Sequence, residues 1–305
     1  MSPPYFPIYL AGPTGSGKTA VALELARVLE PVEIINADAF QVYRGMEIIS
    51  AAPPDAERAG IPHHLFGILD PSENCDAALF ATLARETIAE VSQRAIPLVV
   101  GGSGLYLKAI THGLAPTPKS DPDLRAELDQ ESLETLVSRY EALDPNGAAA
   151  TNLKNRRYVT RNLEICLLSG RPASKLKSEW QDNHPKICGF FLKRERGELY
   201  DRINQRTPQM FHDGVVAEIQ ALTTTSQTAD KAIGIREIRE YLAGNLDEAA
   251  CIEAIRQATR RYAKRQLSWF KRETAFHSID ITASDSAMSI VSRILPLIQA
   301  FGVEG

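Results

Sequence analysis

Gly12-Pro13-Thr14-Gly15-Ser16-Gly17-Lys18-Thr19 decides the fold, because this stretch completes a G-x-x-x-x-G-K-[ST] phosphate-binding loop. The apolar run 8–11 before it predicts a buried strand, and residues 20–29 after it predict a helix. Glycines at such a turn let backbone N–H groups point at an anionic oxygen, and the helix N-terminus adds its positive dipole end. We expect the loop to bind phosphate groups, with Lys18 as a point charge and the Thr19 hydroxyl as a Mg²⁺ ligand.

The loop motif does not say which phosphate compound is bound. The motif alone identifies neither ATP as the ligand nor a kinase as the enzyme. An ordinary glycine-rich turn is the structural alternative, but it gives no reason for a lysine at the helix entry. The rest of the chain must therefore decide between these possibilities.

Composition indicates a globular protein, with 44% apolar and 24% charged residues in a chain of 305. No apolar run reaches the length of a membrane span, and the N-terminus lacks the basic region of a signal peptide. The four cysteines are scattered, and the adjacent His63 and His64 would point apart on a strand. We therefore expect no zinc site and no disulfide framework, and we expect a cytoplasmic monomer that contacts no membrane.

Positive charge is concentrated in two segments, although the net charge of the chain is −4. Residues 154–206 carry thirteen Lys and Arg against six Asp and Glu, and residues 256–272 carry seven cations and no acid. Solvated helix faces are the simplest explanation of charge runs. Two dense basic segments in a mildly acidic chain nevertheless favour a polyanionic partner larger than one nucleotide, such as a nucleic acid.

Strand and helix predictions alternate through the first hundred residues. Residues 32–37 predict a second strand that ends at Asp38, residues 77–95 predict a helix, and residues 96–100 predict a third strand. The alternation favours an α/β fold, a P-loop NTPase-like and mostly parallel sheet with helices on both faces. Ligands of such sheets bind at the carboxyl ends of the strands, so the phosphate loop, Asp38 and Ser103 are expected to converge on one cleft.

A proline-rich segment, residues 115–122, marks a boundary in the chain. Residues 123–177 have helical periodicity, and strand character returns at 186–192. The predicted domains are a core of residues 1–118 and 187–305 and an all-helical insertion of residues 119–186. Two long helices are predicted in the second part of the core, over 196–222 and 246–271.

Asp38 and Arg206 are the charged candidates for chemistry. A carboxylate at a strand end can hold Mg²⁺ through water or act as a general base, but it can also cap a helix or a turn. Arg206 shares a helix face with Arg202, four residues earlier, and either can bind phosphate or pair with nearby acids. Ser103 follows two glycines, so its hydroxyl can approach a ligand closely.

The segment 256–272 predicts an amphipathic basic helix. Its apolar side suits packing against the core. Outward-pointing Arg261, Lys264 and Arg265 then remain for a nucleic-acid backbone, while a membrane surface is the other option.

The chain resembles the tRNA dimethylallyltransferases, nearly from end to end. Each motif beyond the phosphate loop is weak alone, but their order and spacing are specific. Besides the phosphate loop they are Asp38-x-x-Gln41-Val42-Tyr43-Arg44-Gly45-Met46, Pro62-His63-His64, Asp70-Pro71, Val100-Gly101-Gly102-Ser103-Gly104-Leu105-Tyr106, Asp121-Pro122-x-Leu124-Arg125, Arg161-x-Leu163-Glu164, Ser169-Gly170-Arg171-Pro172, Arg202-Ile203-x-x-Arg206, Met210 with Gly214 and Glu218, Ala232-Ile233-Gly234, and Thr259-Arg260-x-x-Ala263-Lys264-Arg265-Gln266-x-x-Trp269.

The resemblance implies transfer of a dimethylallyl group from dimethylallyl diphosphate to N6 of the adenosine on the 3′ side of the tRNA anticodon. It implies that the phosphate loop, Arg206 and Mg²⁺ hold the diphosphate, and that Asp38 accepts the N6 proton beside the Ser103 hydroxyl. The insertion and the basic helix would grip the anticodon stem-loop. The residues then expected to contact tRNA are Asp38, Ala39, Phe40, Gln41, Ser103, Arg125, Arg157, Arg161, Arg261 and Arg265.

Five positions depart from the family pattern, and none is Lys18, Thr19, Asp38 or Arg206. They are Ala39, Ala52, Asn155, Tyr158 and Ile235. Three other functions stay open: a prenyltransferase acting on free AMP, a small-molecule kinase that binds ATP in the loop, and a non-enzymatic RNA-binding protein. The first two leave the basic segments without a purpose, and the third leaves the strand-end residues unexplained.

Overall fold

The computed structural model describes residues 4–181 and 185–303. The chain forms two compact units, of which unit 1 comprises Met1–Thr111 and Lys186–Gly305 and unit 2 is His112–Pro185. The sequence placed the first boundary after residue 118, so unit 2 begins earlier than predicted and includes the whole proline-rich segment.

A six-stranded sheet is the centre of unit 1. Its strands are β1 (Ile8–Ala11), β2 (Val32–Asn36), β3 (His63–His64), β4 (Ile96–Gly101), β5 (Cys188–Arg194) and β6 (His277–Ile281). Their order is β3-β2-β4-β1-β5-β6, and every neighbouring pair is parallel. The predicted parallel sheet is confirmed, and β1 with its phosphate loop lies inside it, between β4 and β5.

Helices cover this sheet and make up unit 2. In chain order they are α1 (Lys18–Val28), α2 (Glu47–Ser50), α3 (Ala77–Val91), α4 (Gly104–Thr111), α5 (Pro122–Gln130), α6 (Leu133–Leu143), α7 (Pro145–Ala150), α8 (Arg156–Ser169), α9 (Ala173–Gln181), α10 (Arg196–His212), α11 (Val215–Ala221), α12 (Ile235–Leu242), α13 (Glu248–Phe270) and α14 (Ala287–Val303). The described part of unit 2 holds α5 to α9 and no strand, as expected for the insertion.

The sheet is buried on both faces, which explains why its strands read as continuous apolar runs. In β1 the side chains of Tyr9 and Ala11 belong to one hydrophobic cluster, and those of Ile8 and Leu10 belong to another. Unit 2 has a third cluster of its own, around Leu136 and Leu163. Because both faces are covered, ligands reach the sheet of unit 1 at its strand ends.

The long helix predicted over residues 196–222 is wrong in one respect, because it is broken into α10 and α11. Gly214 precedes α11 with a φ of 96°, a left-handed conformation that glycine adopts easily. The other long helix, α13, is continuous over 23 residues. Arg202 and Arg206 both lie on α10, before the break.

Candidate active site

A cavity of about 780 Å³ in unit 1 lies beside the phosphate loop. Lys18 and Thr19 from α1, Asp38 from the end of β2 and Arg206 from α10 all line it. The predicted convergence of the phosphate loop and Asp38 is therefore present, and Arg206 joins them from a helix. Ser103 follows the neighbouring strand β4, but it is not among the lining residues of this cavity.

The phosphate loop presents unused N–H groups. Gly17 is the N-cap of α1 with a φ of 88°, and Gly15 has a φ of 86°. The N–H groups of Gly12, Thr14 and Ser16 donate to Gly101 O, Gln266 Oε1 and Pro13 O. In contrast, the N–H groups of Gly15 and Gly17 have no acceptor among the described residues. With the free N–H groups of the first turn of α1, they form a cradle for an anion.

Three cations around this cradle have no ion-pair partner in the described part of the chain. Lys18, Arg202 and Arg206 all line the cavity, and among residues 4–181 and 185–303 none of them has an ion pair or side-chain hydrogen bond. Arg202 is exposed at the rim, while Lys18 and Arg206 are partly buried. Three unneutralised cations against the carboxylate of Asp38 leave the cavity ready for a ligand with several negative charges.

Burial lowers the pKa of Lys18, since it penalises the ammonium form. The Asp38 carboxylate opposes this decrease, and Arg206 adds to it. Burial also lowers the pKa of Arg206, again against the effect of Asp38. A bound diphosphate would favour the charged form of both side chains. Anion binding therefore offsets the cost of desolvating these cations.

Asp38 is held in a turn and keeps one oxygen free. Its Oδ1 accepts the N–H of Phe40 at 3.1 Å, and its own N–H donates to Oδ1 of the buried Asn36 at 2.8 Å. No helix begins at Asp38, so the helix-cap interpretation is wrong. The turn interpretation explains the hydrogen bond of Oδ1 but gives Oδ2 no role. Oδ2 has no partner among the described residues, and Asp38 lines the cavity, so a carboxylate oxygen is available for a proton.

The other residues expected near the acceptor are only partly at the cavity. Phe40 and Gln41 line it, and Gln41 Nε2 donates to the carbonyls of Ser50 and Ala51 at the end of α2. Ala39 packs against the hydrophobic cluster of that face. Ser103 accepts the N–H of Leu107 through its carbonyl and so begins α4. The role of its hydroxyl stays a prediction.

Sequence reasoning assigned no role to two residues of α13 that reach this region, Tyr262 and Gln266. Tyr262 lines the cavity, and its pKa is raised by burial and by the charge of Asp38. Gln266 is buried, and its side chain bonds the backbone of Thr14 and Gly102. The spacing of Gln266 from the buried Ala263 and Phe270 was a signal that it faces the core.

The opposite side of α13 carries the cations predicted to face outward. Arg261, Lys264 and Arg265 are exposed and have no ion pair among the described residues. Arg256 and Arg260, in contrast, both pair with Glu253. The outward orientation is therefore present, and contact of Arg261 and Arg265 with RNA stays a prediction.

Two cations of unit 2 that were expected to bind tRNA are already paired. Arg125 and Arg161 both bond the carboxylate of Glu164, whose side chain is fully buried. Ser120 Oγ and the N–H of Asp121 donate to the same carboxylate. Arg157 is exposed and has no ion pair in the described part of the chain. Of the three arginines, Arg157 is thus the one with a free charge for RNA.

We expect Glu164→Gln to destabilise the protein by about 2–3 kcal/mol, because it leaves two arginines without their shared anion. The estimate is below the range for fully buried pairs, since both arginines are partly exposed. Burial alone raises the pKa of Glu164, but Arg161, the Asp121 N–H, Arg125 and Ser120 outweigh it, and the net pKa is lowered. The stabilisation is therefore present above the unfolded-state pKa and lost as pH falls through the folded-state pKa.

Urea unfolding followed by circular dichroism checks this prediction at pH 7 and across the acid range. Glu127→Gln, an exposed position on α5, is the matched control and should leave the free energy of unfolding unchanged. A Glu164→Gln protein as stable as the control at pH 7 would show that the cluster is not stabilising.

The described residues contain no cluster of three or more His, Cys, Asp and Glu side chains that could hold a metal by themselves. His63 Nδ1 bonds Ile61 O and His64 Nε2 bonds Glu33, so the two adjacent side chains have different partners. The four cysteines are free and buried. Among the described helices, none has the length and apolar character needed to span a membrane.

Comparison with known proteins gives consistent matches over most of the chain. The sequence profile of the IPP transferase family matches residues 41–273. The tRNA dimethylallyltransferase of Akkermansia muciniphila is 42% identical over 289 residues, which cover 94% of this chain and 98% of that protein. The tRNA dimethylallyltransferase of Geobacter sulfurreducens is 38% identical over 93% of this chain and 95% of its own.

Solved structures agree with these sequence matches. A tRNA isopentenylpyrophosphate transferase from Bacillus halodurans is similar with a TM-score of 0.71 and 34% identity, over 98% of both chains. A eukaryotic dimethylallyltransferase, described as acting on tRNA, is similar with a TM-score of 0.82 and 27% identity. That match covers 98% of this chain and 80% of the eukaryotic one.

Proposed function

This chain belongs to the IPP transferase family, and on that premise we propose that it is a tRNA dimethylallyltransferase. It transfers a dimethylallyl group from dimethylallyl diphosphate to N6 of the adenosine on the 3′ side of the anticodon. One observation carries the proposal: a phosphate loop, three cations without an ion pair among the described residues, and a carboxylate with one free oxygen line a single cavity. The set suits a reaction in which a diphosphate leaves and an amine loses a proton.

The diphosphate is bound by the cradle of N–H groups with Lys18 and Arg206. As the bond between the allylic C1 and the diphosphate oxygen breaks, negative charge grows on the departing diphosphate. Fixed cations and N–H groups that face this charge stabilise the transition state more than the ground state. Arg202 at the rim is a third cation for the same anion.

Asp38 acts on the other reactant. The N6 amine attacks C1 as the C1–O bond breaks, and the new N–C bond leaves a positive charge on N6. Oδ2 of Asp38 accepts the N6 proton, while Oδ1 stays in its bond with the Phe40 N–H. The turn fixes the carboxylate, so the basic oxygen keeps its position through the reaction.

Mg²⁺ fits the site only as an ion bound largely by the substrate. Thr19 and Asp38 both line the cavity, and the described residues provide no cage of three acidic or imidazole ligands. Mg²⁺ commonly binds through one or two protein groups, phosphate oxygens and water. Thr19 would hold the ion, which would supply further positive charge at the diphosphate oxygens.

We propose tRNA rather than AMP as the acceptor because of the exposed cations on α13, which a mononucleotide would not need. A kinase that binds ATP in the loop would have no use for them either. An RNA-binding protein without activity would not need the cavity. We also propose that the protein is a cytoplasmic monomer whose four cysteines are reduced.

We expect label from dimethylallyl diphosphate to enter unmodified tRNA far faster than AMP or ATP, in the presence of Mg²⁺. Filter-bound radioactivity measures the tRNA product, and chromatography measures the nucleotide products. Equal transfer to AMP and tRNA would favour the adenylate prenyltransferase. A control titration with salt should weaken tRNA binding steeply, because several phosphates are neutralised at once.

A further inference from the structure

Gln266 joins two loops of the active site from within α13. Its side-chain Oε1 accepts the N–H of Thr14 in the phosphate loop at 3.0 Å. Its Nε2 donates to the carbonyl of Gly102, in the turn after β4, at 2.8 Å. Gln266 is only 5% exposed, so these bonds are shielded from water.

The segments around Gln266 are packed without spare room. A Cβ built on Gly102 would lie 2.5 Å from Gln266 Nε2 and 2.7 Å from the carbonyl oxygen of Gly12. A Cβ on Gly104 would lie 2.3 Å from the ring of Trp269, one turn further along α13. Ser103 lies between these two glycines, so α13 fixes the backbone on both sides of it.

The chemistry of the link requires an amide. One end must accept a hydrogen bond from a backbone N–H, and the other end must donate to a backbone carbonyl. A methionine of similar length would leave a buried N–H and a buried C=O unsatisfied. A glutamate would keep the bond to Thr14 but would place a carboxylate against the Gly102 carbonyl and near the diphosphate.

Tyr262 lies one helical turn before Gln266 on α13 and lines the cavity together with Asp38. The helix that carries Gln266 therefore also carries a residue on the acceptor side of the cavity.

We propose that Gln266 is a positioning residue that sets the phosphate loop against the turn at Ser103. The side chain of Gln266 accepts the N–H of Thr14, and the N–H groups of Gly15 and Gly17 remain for the diphosphate. The identity of that diphosphate rests on the proposed function, but the geometry of the loop does not. A misplacement of about 1 Å lowers rates about 100-fold in well-oriented sites.

The test compares Gln266→Met with Gln257→Met, an exposed glutamine on the same helix. Calorimetry measures the affinity for inorganic pyrophosphate, steady-state kinetics give kcat and KM for dimethylallyl diphosphate and tRNA, and thermal unfolding gives Tm. We expect Gln266→Met to weaken pyrophosphate binding about tenfold or more and to lower kcat/KM for dimethylallyl diphosphate about 100-fold, with KM for tRNA unchanged. Gln257→Met should match the wild type.

A lower Tm with unchanged pyrophosphate affinity and unchanged kcat/KM would reduce Gln266 to a structural role and overturn the proposal. If Gln266→Met does not fold, Gln266→Glu takes its place, because it keeps the bond to Thr14 and loses only the donor to Gly102. Its pyrophosphate affinity should fall by at least as much, and an unchanged affinity would again overturn the proposal. If the wild-type protein binds pyrophosphate but transfers nothing to tRNA, and Gln266→Met loses this binding, the role of Gln266 is supported and the proposed function is refuted.

Discussion

Asp38→Asn is expected to lower the rate of transfer by about two to four orders of magnitude, the usual contribution of general-base assistance. Asparagine keeps the size of the side chain and an oxygen for the Phe40 N–H, so the turn at residue 38 should survive. It has no basic oxygen for the N6 proton. Binding of tRNA and dimethylallyl diphosphate should therefore stay close to that of the wild type.

Single-turnover kinetics across a series of Mg²⁺ concentrations measure this effect. A large defect that Mg²⁺ does not relieve, with normal binding, supports Asp38 as the base. Rescue by added Mg²⁺ would assign the carboxylate to the ion instead, and an unchanged rate would leave it as a turn residue. Asp213→Asn, at an exposed position after α10, is the matched control and should behave as the wild type.

Lys18→Ala is expected to lower turnover by about two to three orders of magnitude, since it removes a cation that faces the developing charge of the diphosphate. Arg206→Ala should have a similar effect for the same reason. Neither side chain has an ion pair or side-chain hydrogen bond within the described part of the chain, so each substitution removes a cation without orphaning a protein partner. The loss should therefore appear in the reaction rather than in the stability of the fold.

The measurement is kcat at saturating dimethylallyl diphosphate and tRNA, together with Tm. Lys193→Ala on β5, where the lysine is exposed and paired with Asp280, is the control for loss of a lysine. Near-normal kcat in Lys18→Ala or Arg206→Ala would show that the residue does not face the leaving group.

The core of the fold was predictable because one local motif fixes it. A strand, a glycine-rich loop and a helix are contiguous in sequence, and the topology of parallel sheets then brings other strand ends to the same edge. Asp38 could be placed at the loop for this reason, whereas Arg206, on α10, was assigned to the diphosphate only through the family resemblance. The edge strands β3 and β6 were missed. β3 has only two residues, and β6 is mostly exposed, so neither gives a clear pattern in the sequence.

The interactions that refine the site depend on contacts between distant parts of the chain. Gln266 and Thr14 are hydrogen bonded although they are 252 residues apart in the sequence, and no local sequence pattern predicts this partner. The positive charge of residues 154–206 was likewise visible in the sequence, but the pairing of Arg161 and Arg125 with Glu164 was not. Charge counts show where cations are, and only the folded structure shows which of them are already neutralised.

Mapping the modified nucleoside tests the central claim most directly. The purified protein is incubated with dimethylallyl diphosphate, Mg²⁺ and an unmodified tRNA with adenosine on the 3′ side of its anticodon, and the digested RNA is examined by mass spectrometry. We expect N6-isopentenyladenosine at that position. We expect no N6-isopentenyladenosine in a tRNA in which this adenosine is replaced by guanosine. Unmodified tRNA in the first reaction, or the same product at other adenosines in the second, would contradict it.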